Sequence, residues 1–142
     1  MQMDNHLPNP PKAVGNYTTI KRVGDLIYTS GHVPISDYAK YIGKIPTDQS
    51  TEQGYEAASL CAELTIATLS ECYDLKILTP INVLGFVNCT EDYIEHPTVL
   101  NGFTDKLGEY FESKATRSAV GVSSLPMNVS VEVQTIFFIN EE

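Results

Sequence analysis

Two charged side chains stand among apolar residues near the end of the sequence. Arg117 opens the run Arg117-Ser118-Ala119-Val120-Gly121-Val122, and Glu132 lies in the run Val129 to Ile139, beyond a Leu125-Pro126 turn. The chain has only one other arginine, Arg22. A guanidinium costs free energy to bury and is usually solvated or paired. Its planar fork takes a carboxylate or phosphate through two parallel hydrogen bonds. Arg117 is therefore either a surface strand end or an anion receptor, and a structural ion pair is the default when the residue is read alone. Glu132 alone reads as a half-exposed strand residue. His32 titrates near neutrality and has the chemistry of an acid or base, with a structural, hydrogen-bonded histidine as the plainer reading. Cys61, Cys72 and Cys89 fit no metal-ligand spacing and read as free thiols. No metal or cofactor is expected.

These residues need a frame. Residues 1–13 read as a flexible arm and 14–142 as one domain. Residues 17–23 and 26–30 read as strands around a Gly24-Asp25 turn. Residues 36–49 read as a polar loop. Ser50 starts a helix with Gln53 as its capping-box partner, and Ala57, Leu60, Cys61, Leu64, Ala67 and Thr68 recur on one face. A strand over 77–89 is followed by a helix over about 97–113, with Pro97 in its first turn. The last two strands read as a hairpin. The order is β-β-α-β-α-β-β: an α+β domain with one mixed sheet and two helices on one face. The stretch Ile81 to Val87 is apolar at both parities apart from Asn82, so both sheet faces are expected to be covered. A second copy of the chain would cover the face without helices.

Composition narrows the function. The 142 residues carry 9 Lys and Arg against 18 Asp and Glu, a net charge of −9. That field repels nucleic acid at long range but permits a small anion held by a local cation. No run approaches the ~20 apolar residues of a membrane span, and the first 15 residues hold three prolines and no apolar core of a signal, so a cytoplasmic protein is expected.

The hairpin sequence, with Val131-Glu132-Val133, resembles the C-terminal signature of the Rid family, the reactive intermediate deaminases also known as the liver perchloric-acid-soluble, endoribonuclease-like family. Val14-Gly15-Asn16-Tyr17 resembles its opening block, and Gly24-Asp25-Leu26-Ile27-Tyr28-Thr29-Ser30-Gly31-His32-Val33-Pro34 its Ser-Gly-Gln-x-Pro stretch, with His32 in place of glutamine. The resemblance spans residues 13–139. It implies a chorismate-mutase-like fold, a homotrimer around a central barrel, and hydrolysis of 2-imino acids and their enamines to 2-keto acids and ammonium. It implies that Arg117 binds the substrate carboxylate and Glu132 orders the attacking water. The backbone of Gly31 and Ala119 would hold the nitrogen and carboxylate, and Tyr17 and Ser30 would line the pocket. Ala119 stands where many relatives have cysteine, and the segment from Gly85 to Gly102 is longer than theirs. A non-catalytic module that captures a small carboxylate is the second reading, and an endoribonuclease, an activity attributed to some relatives, the third.

Pairing the last two strands around Pro126-Met127 places Gly121 opposite Glu132, with Arg117, Ala119 and Glu132 on one side of the sheet. Arg117 would then lie four residues, on the order of 13 Å, from Glu132 along the strand. A small substrate could meet both only where Arg117 of one subunit approaches Glu132 of its neighbour.

Overall fold

The computed structural model describes residues 7–140. The first six residues of the expected arm lie outside that range. Leu7 packs against the core, and Asn9 donates to Asp37 at 2.8 Å.

Strands β1 (Ile20–Val23) and β2 (Leu26–Thr29) pair antiparallel across the Gly24-Asp25 turn. Gly24 sits at φ 60, where a Cβ would be strained. Helix α1 (Thr51–Ser70) begins at the anticipated box: the Gln53 amide donates to Ser50 Oγ at 3.0 Å, and the Ser50 amide donates to Gln53 Oε1 at 2.8 Å. Strand β3 (Leu78–Asn88) leads to helix α2 (His96–Leu107), which carries proline in its first turn. The sequence places the end of α2 at residue 113. Gly108 ends it sooner, where a glycine weakens the helix, although Phe111 still reaches the core.

Strand β4 (Thr116–Val122) pairs in parallel with β3, and β5 (Val131–Ile139) pairs antiparallel with β3 and β2. The sheet order is β1-β2-β5-β3-β4. The last two strands are therefore not a hairpin, because β3 lies between them. A parallel β3–β4 pair needs a long crossover, and α2 supplies it. The segment 123–130 then carries the chain over the end of β3 to its other side. Met127 and Asn128 take positive φ in that crossing. Asn88 anchors it, donating from Nδ2 to the Val129 carbonyl at 3.0 Å and from its amide to the Ser130 carbonyl at 2.8 Å.

This topology replaces the expected register. Glu132 lies in a row with Phe86 and Val120, whereas Arg117 lies in a row with Val83 and Thr135. The odd-numbered residues of β5 are all buried beneath the two helices. Phe103, Leu64, Val83 and Phe137 are buried in that layer. Helices α1 and α2 pack tightly at Gly102, where a Cβ would collide with the Tyr55 carbonyl. The loop 36–49 is not merely a surface connection: Ile45 is fully buried and bridges to Cys89 at the end of β3. The opposite sheet face carries no helix. Tyr28 and Val120 remain 39% and 42% exposed there, among half-buried Leu26, Leu84, Phe86, Ile136 and Phe138.

Candidate functional site

Arg117 sits on β4, the sheet's edge strand, and points to the helix side. Its Nη1 donates to Asn101 Oδ1 at 2.9 Å and to Thr104 Oγ1 at 3.2 Å, both on α2. Among the described residues no carboxylate lies within ion-pair distance of it. The default ion-pair reading thus lacks a partner. Neutral acceptors fix the guanidinium's direction without neutralising it, so its remaining donors keep their affinity for an anion. The side chain lines a cavity of about 420 Å³ together with Thr104, Asp105, Phe111 and Lys114. Ala119, one step along the same side of β4, is half-buried against the core. Asn101 and Thr104 were not singled out from the sequence. Their spacing of three residues places both on one helix face, but nothing local to α2 says that an arginine will meet them.

Gly31 and Glu132 meet elsewhere. The Glu132 carboxylate lies against Gly31, and a Cβ added there would stand 2.9 Å from Glu132 Cδ and closer still to Oε2. Half-burial pushes the Glu132 carboxyl above the usual carboxylate range. The Ser30 amide donates to the Thr19 carbonyl at 3.0 Å, tying this corner to the segment that carries Tyr17. Tyr17 is 48% exposed, and its hydroxyl accepts from the Val14 amide at 3.2 Å.

His32 belongs to the other side of the sheet. It is 2% exposed, with Nδ1 3.1 Å from the Ser30 carbonyl and Nε2 3.0 Å from Thr68 Oγ1 on α1. A carbonyl only accepts, so in the neutral ring Nδ1 carries the proton, while the Thr68 hydroxyl 3.0 Å from Nε2 donates its single proton to the Leu64 carbonyl at 2.9 Å. Desolvation lowers its pKa from 6.5 to about 4, against the opposing pull of the Ser30 carbonyl. Buried and held between the Ser30 carbonyl and Thr68 on α1, His32 has the surroundings of a structural strut and not of an exposed acid or base.

In one chain these residues therefore fall into two separate groups. Arg117 and Ala119 lie on the β4 edge; Gly31 and Glu132 meet at the start of β5, next to Ser30, which bonds to Thr19 two residues beyond Tyr17. The two charged groups occupy opposite sheet faces, not the shared face expected from sequence. They are separated by two strand spacings of ~4.8 Å and three residues of ~3.3 Å each. No small molecule spans that within one chain.

Comparison with known proteins gives a consistent picture. The family described as YjgF/chorismate mutase-like, putative endoribonuclease matches residues 2–139. A protein of Lactococcus lactis named putative regulator AldR is 33% identical over 129 residues, covering 89% of each chain. A protein of Dermatophagoides farinae named 2-iminobutanoate/2-iminopropanoate deaminase is 26% identical over 133 residues, 93% of this chain and 92% of that one. The crystal structure of a putative endoribonuclease from Shewanella oneidensis superposes with a TM-score of 0.89 at 29% identity, covering 94% of this chain and 92% of the other.

Proposed function

The chain belongs to the YjgF/chorismate mutase-like family, and on that premise we propose that it hydrolyses reactive 2-imino acids, and the enamines in equilibrium with them, at a cleft between subunits of a homotrimer. The observation that carries this reading is Arg117: a half-buried guanidinium aimed by Asn101 and Thr104 into a cavity, with no carboxylate partner among the described residues. It takes the substrate carboxylate through its fork. Glu132 of the adjoining subunit holds a water against the C=N carbon. The water adds, its proton passes through the Glu132 carboxylate to nitrogen, and the tetrahedral adduct collapses to the keto acid and ammonia. Desolvation raises the Glu132 carboxyl pKa and so makes it a stronger base than a solvated glutamate. Backbone groups of Gly31 and Ala119 orient nitrogen and carboxylate, and Tyr17 and Ser30 line the entrance. The exposed apolar sheet face supplies the surface through which subunits meet.

A non-catalytic carboxylate-binding module is the second reading, favoured by the 33% identical relative named as a regulator. An RNA-cleaving role fits poorly with a net charge of −9. Calorimetric titration with a 2-keto acid, alongside ammonia release from enzymatically generated 2-iminobutanoate, separates the readings. Arg117→Ala should lose about 2–5 kcal/mol of keto-acid binding and all turnover. Arg117→Lys keeps the charge without the fork and should fall nearer alanine. Normal binding and turnover in Arg117→Ala would make Arg117 a structural residue. Keto-acid binding through Arg117 without ammonia release from any imine would favour the module.

A further inference from the structure

A second cluster of reactive side chains lies outside the proposed site, where the β3 and β4 strands end. Cys89 Sγ stands 3.5 Å from His96 Nε2. Both line a cavity of about 650 Å³ with Lys44, Tyr93, Gly121 and Ser123. The imidazole is oriented by an edge-on contact with the Tyr93 ring at 5.5 Å and 73°. Tyr93 is itself fixed by a 2.7 Å hydrogen bond between its hydroxyl and Thr51 Oγ1 on α1. Gly121 packs directly against the pair: a Cβ there would stand 2.6 Å from His96 Nε2 and 2.8 Å from Cys89 Sγ, so only glycine fits beside them. Lys44 Nζ, held by Asn88 Oδ1 at 2.9 Å and by the Ser123 carbonyl, sets a cation at the wall. The other two cysteines lack this setting. Cys61 is fully buried in α1, and Cys72 is exposed on the turn after it.

We propose that Cys89 and His96 form a thiol–imidazole pair that captures small carbon electrophiles of the α,β-unsaturated or α-halo carbonyl class. Burial raises the Cys89 pKa, with Lys44 opposing, so sulfur rests as the thiol and needs a base as it reacts. In the step, Sγ bonds to the electrophilic carbon and the thiol proton moves to His96 Nε2. An unsaturated carbonyl then takes that proton at its α-carbon; an α-halo compound instead expels halide, and the imidazolium releases its proton to solvent. No oxidant or metal enters the balance. The cavity of about 650 Å³ that both side chains line has room for the added group.

Iodoacetamide serves as the probe, with peptide mass spectrometry reading each cysteine of the native full-length protein separately. Cys89 should be alkylated at least as fast as exposed Cys72, although its own exposure is only 8%. Cys61 should stay unmodified and so report that the protein remains folded. His96→Asn should slow Cys89 roughly 10²-fold, the lower end of a positioned base's contribution, and leave Cys72 unchanged. Gly121→Ala should slow Cys89 as well, because the added methyl collides with both Sγ and the imidazole and pushes them apart. The proposal is overturned if Cys89 lags Cys72 in the wild type, if His96→Asn leaves its rate unchanged, or if Cys89 reacts only when Cys61 does. None of these readouts depends on Arg117 or on imine hydrolysis.

Discussion

Glu132 is the residue whose surroundings most constrain its chemistry. Its carboxylate lies against Gly31, the position at which any side chain would collide with it. Its pKa is raised by desolvation and not by a neighbouring carboxylate. If it activates water, Glu132→Gln should lower turnover by ~10²–10⁴-fold while leaving keto-acid affinity nearly intact, because the amide keeps the shape and loses the base. Steady-state ammonia release beside calorimetric binding checks both halves. Unchanged turnover would assign Glu132 to structure. Gly31→Ala probes the same contact from the other side. The added methyl forces the carboxylate away, so turnover should fall with little loss of thermal stability, since that face carries no helix. A large drop in melting temperature with normal turnover would contradict the placement. Arg117 and Glu132 were legible as chemistry-bearing residues from their types and apolar surroundings, but Asn101 and Thr104 were not, because their partner is distant in sequence.

Among the elements, α1 and the β2 end are joined through His32, and this junction carries a pH dependence. In the folded chain His32 binds a proton only near pH 4, whereas in the unfolded chain it does so near 6.5. Between those values the unfolded state holds more protons, so stability rises with pH. The contribution is fully present above 6.5 and is lost as pH falls toward 4, on the order of 3 kcal/mol in all. Urea unfolding of the wild type and His32→Gln at pH 7 and pH 4.5 measures it. The wild type should lose more stability on acidification than the variant, and equal losses would remove His32 as the cause. The α1 start was readable because a capping box is local. The β4–β5 relation was not, because a tight Leu125-Pro126 signal looks the same whether the chain reverses beside its own strand or steps across β3.

For the whole molecule, the uncovered sheet face and the split site point to the same requirement. Leu84, Phe86, Ile136 and Phe138 leave part of their apolar surface in water on a face with Tyr28 and Val120 exposed. Apolar surface of that extent on a small domain favours association. Under the proposed function, the separation of Arg117 from Glu132 within one chain calls for a neighbour's edge strand. Light scattering should give a mass about three times 15.7 kDa. Val120→Lys should shift it toward the monomer, and imine hydrolysis should fall with it, even though Arg117 and Glu132 are untouched. A stable, fully active monomer would overturn both the assembly and the composite cleft.

By itself the sequence determined what local rules govern: helix starts, strand periodicity, two apolar sheet faces, an acidic charge balance, and a guanidinium and a carboxylate set among apolar strand residues. These follow from a residue and its near neighbours, or from sums over the chain. Strand neighbours and register were decided only by the tertiary structure. Inserting β5 between β2 and β3 lets β3, apolar at both parities, pair on both sides, and it leaves β4 at the edge. That one choice moved Glu132 to the face opposite Arg117. Side chains alternate sides along a strand, so a site's composition rests on pairings between segments far apart in sequence, which no local pattern encodes.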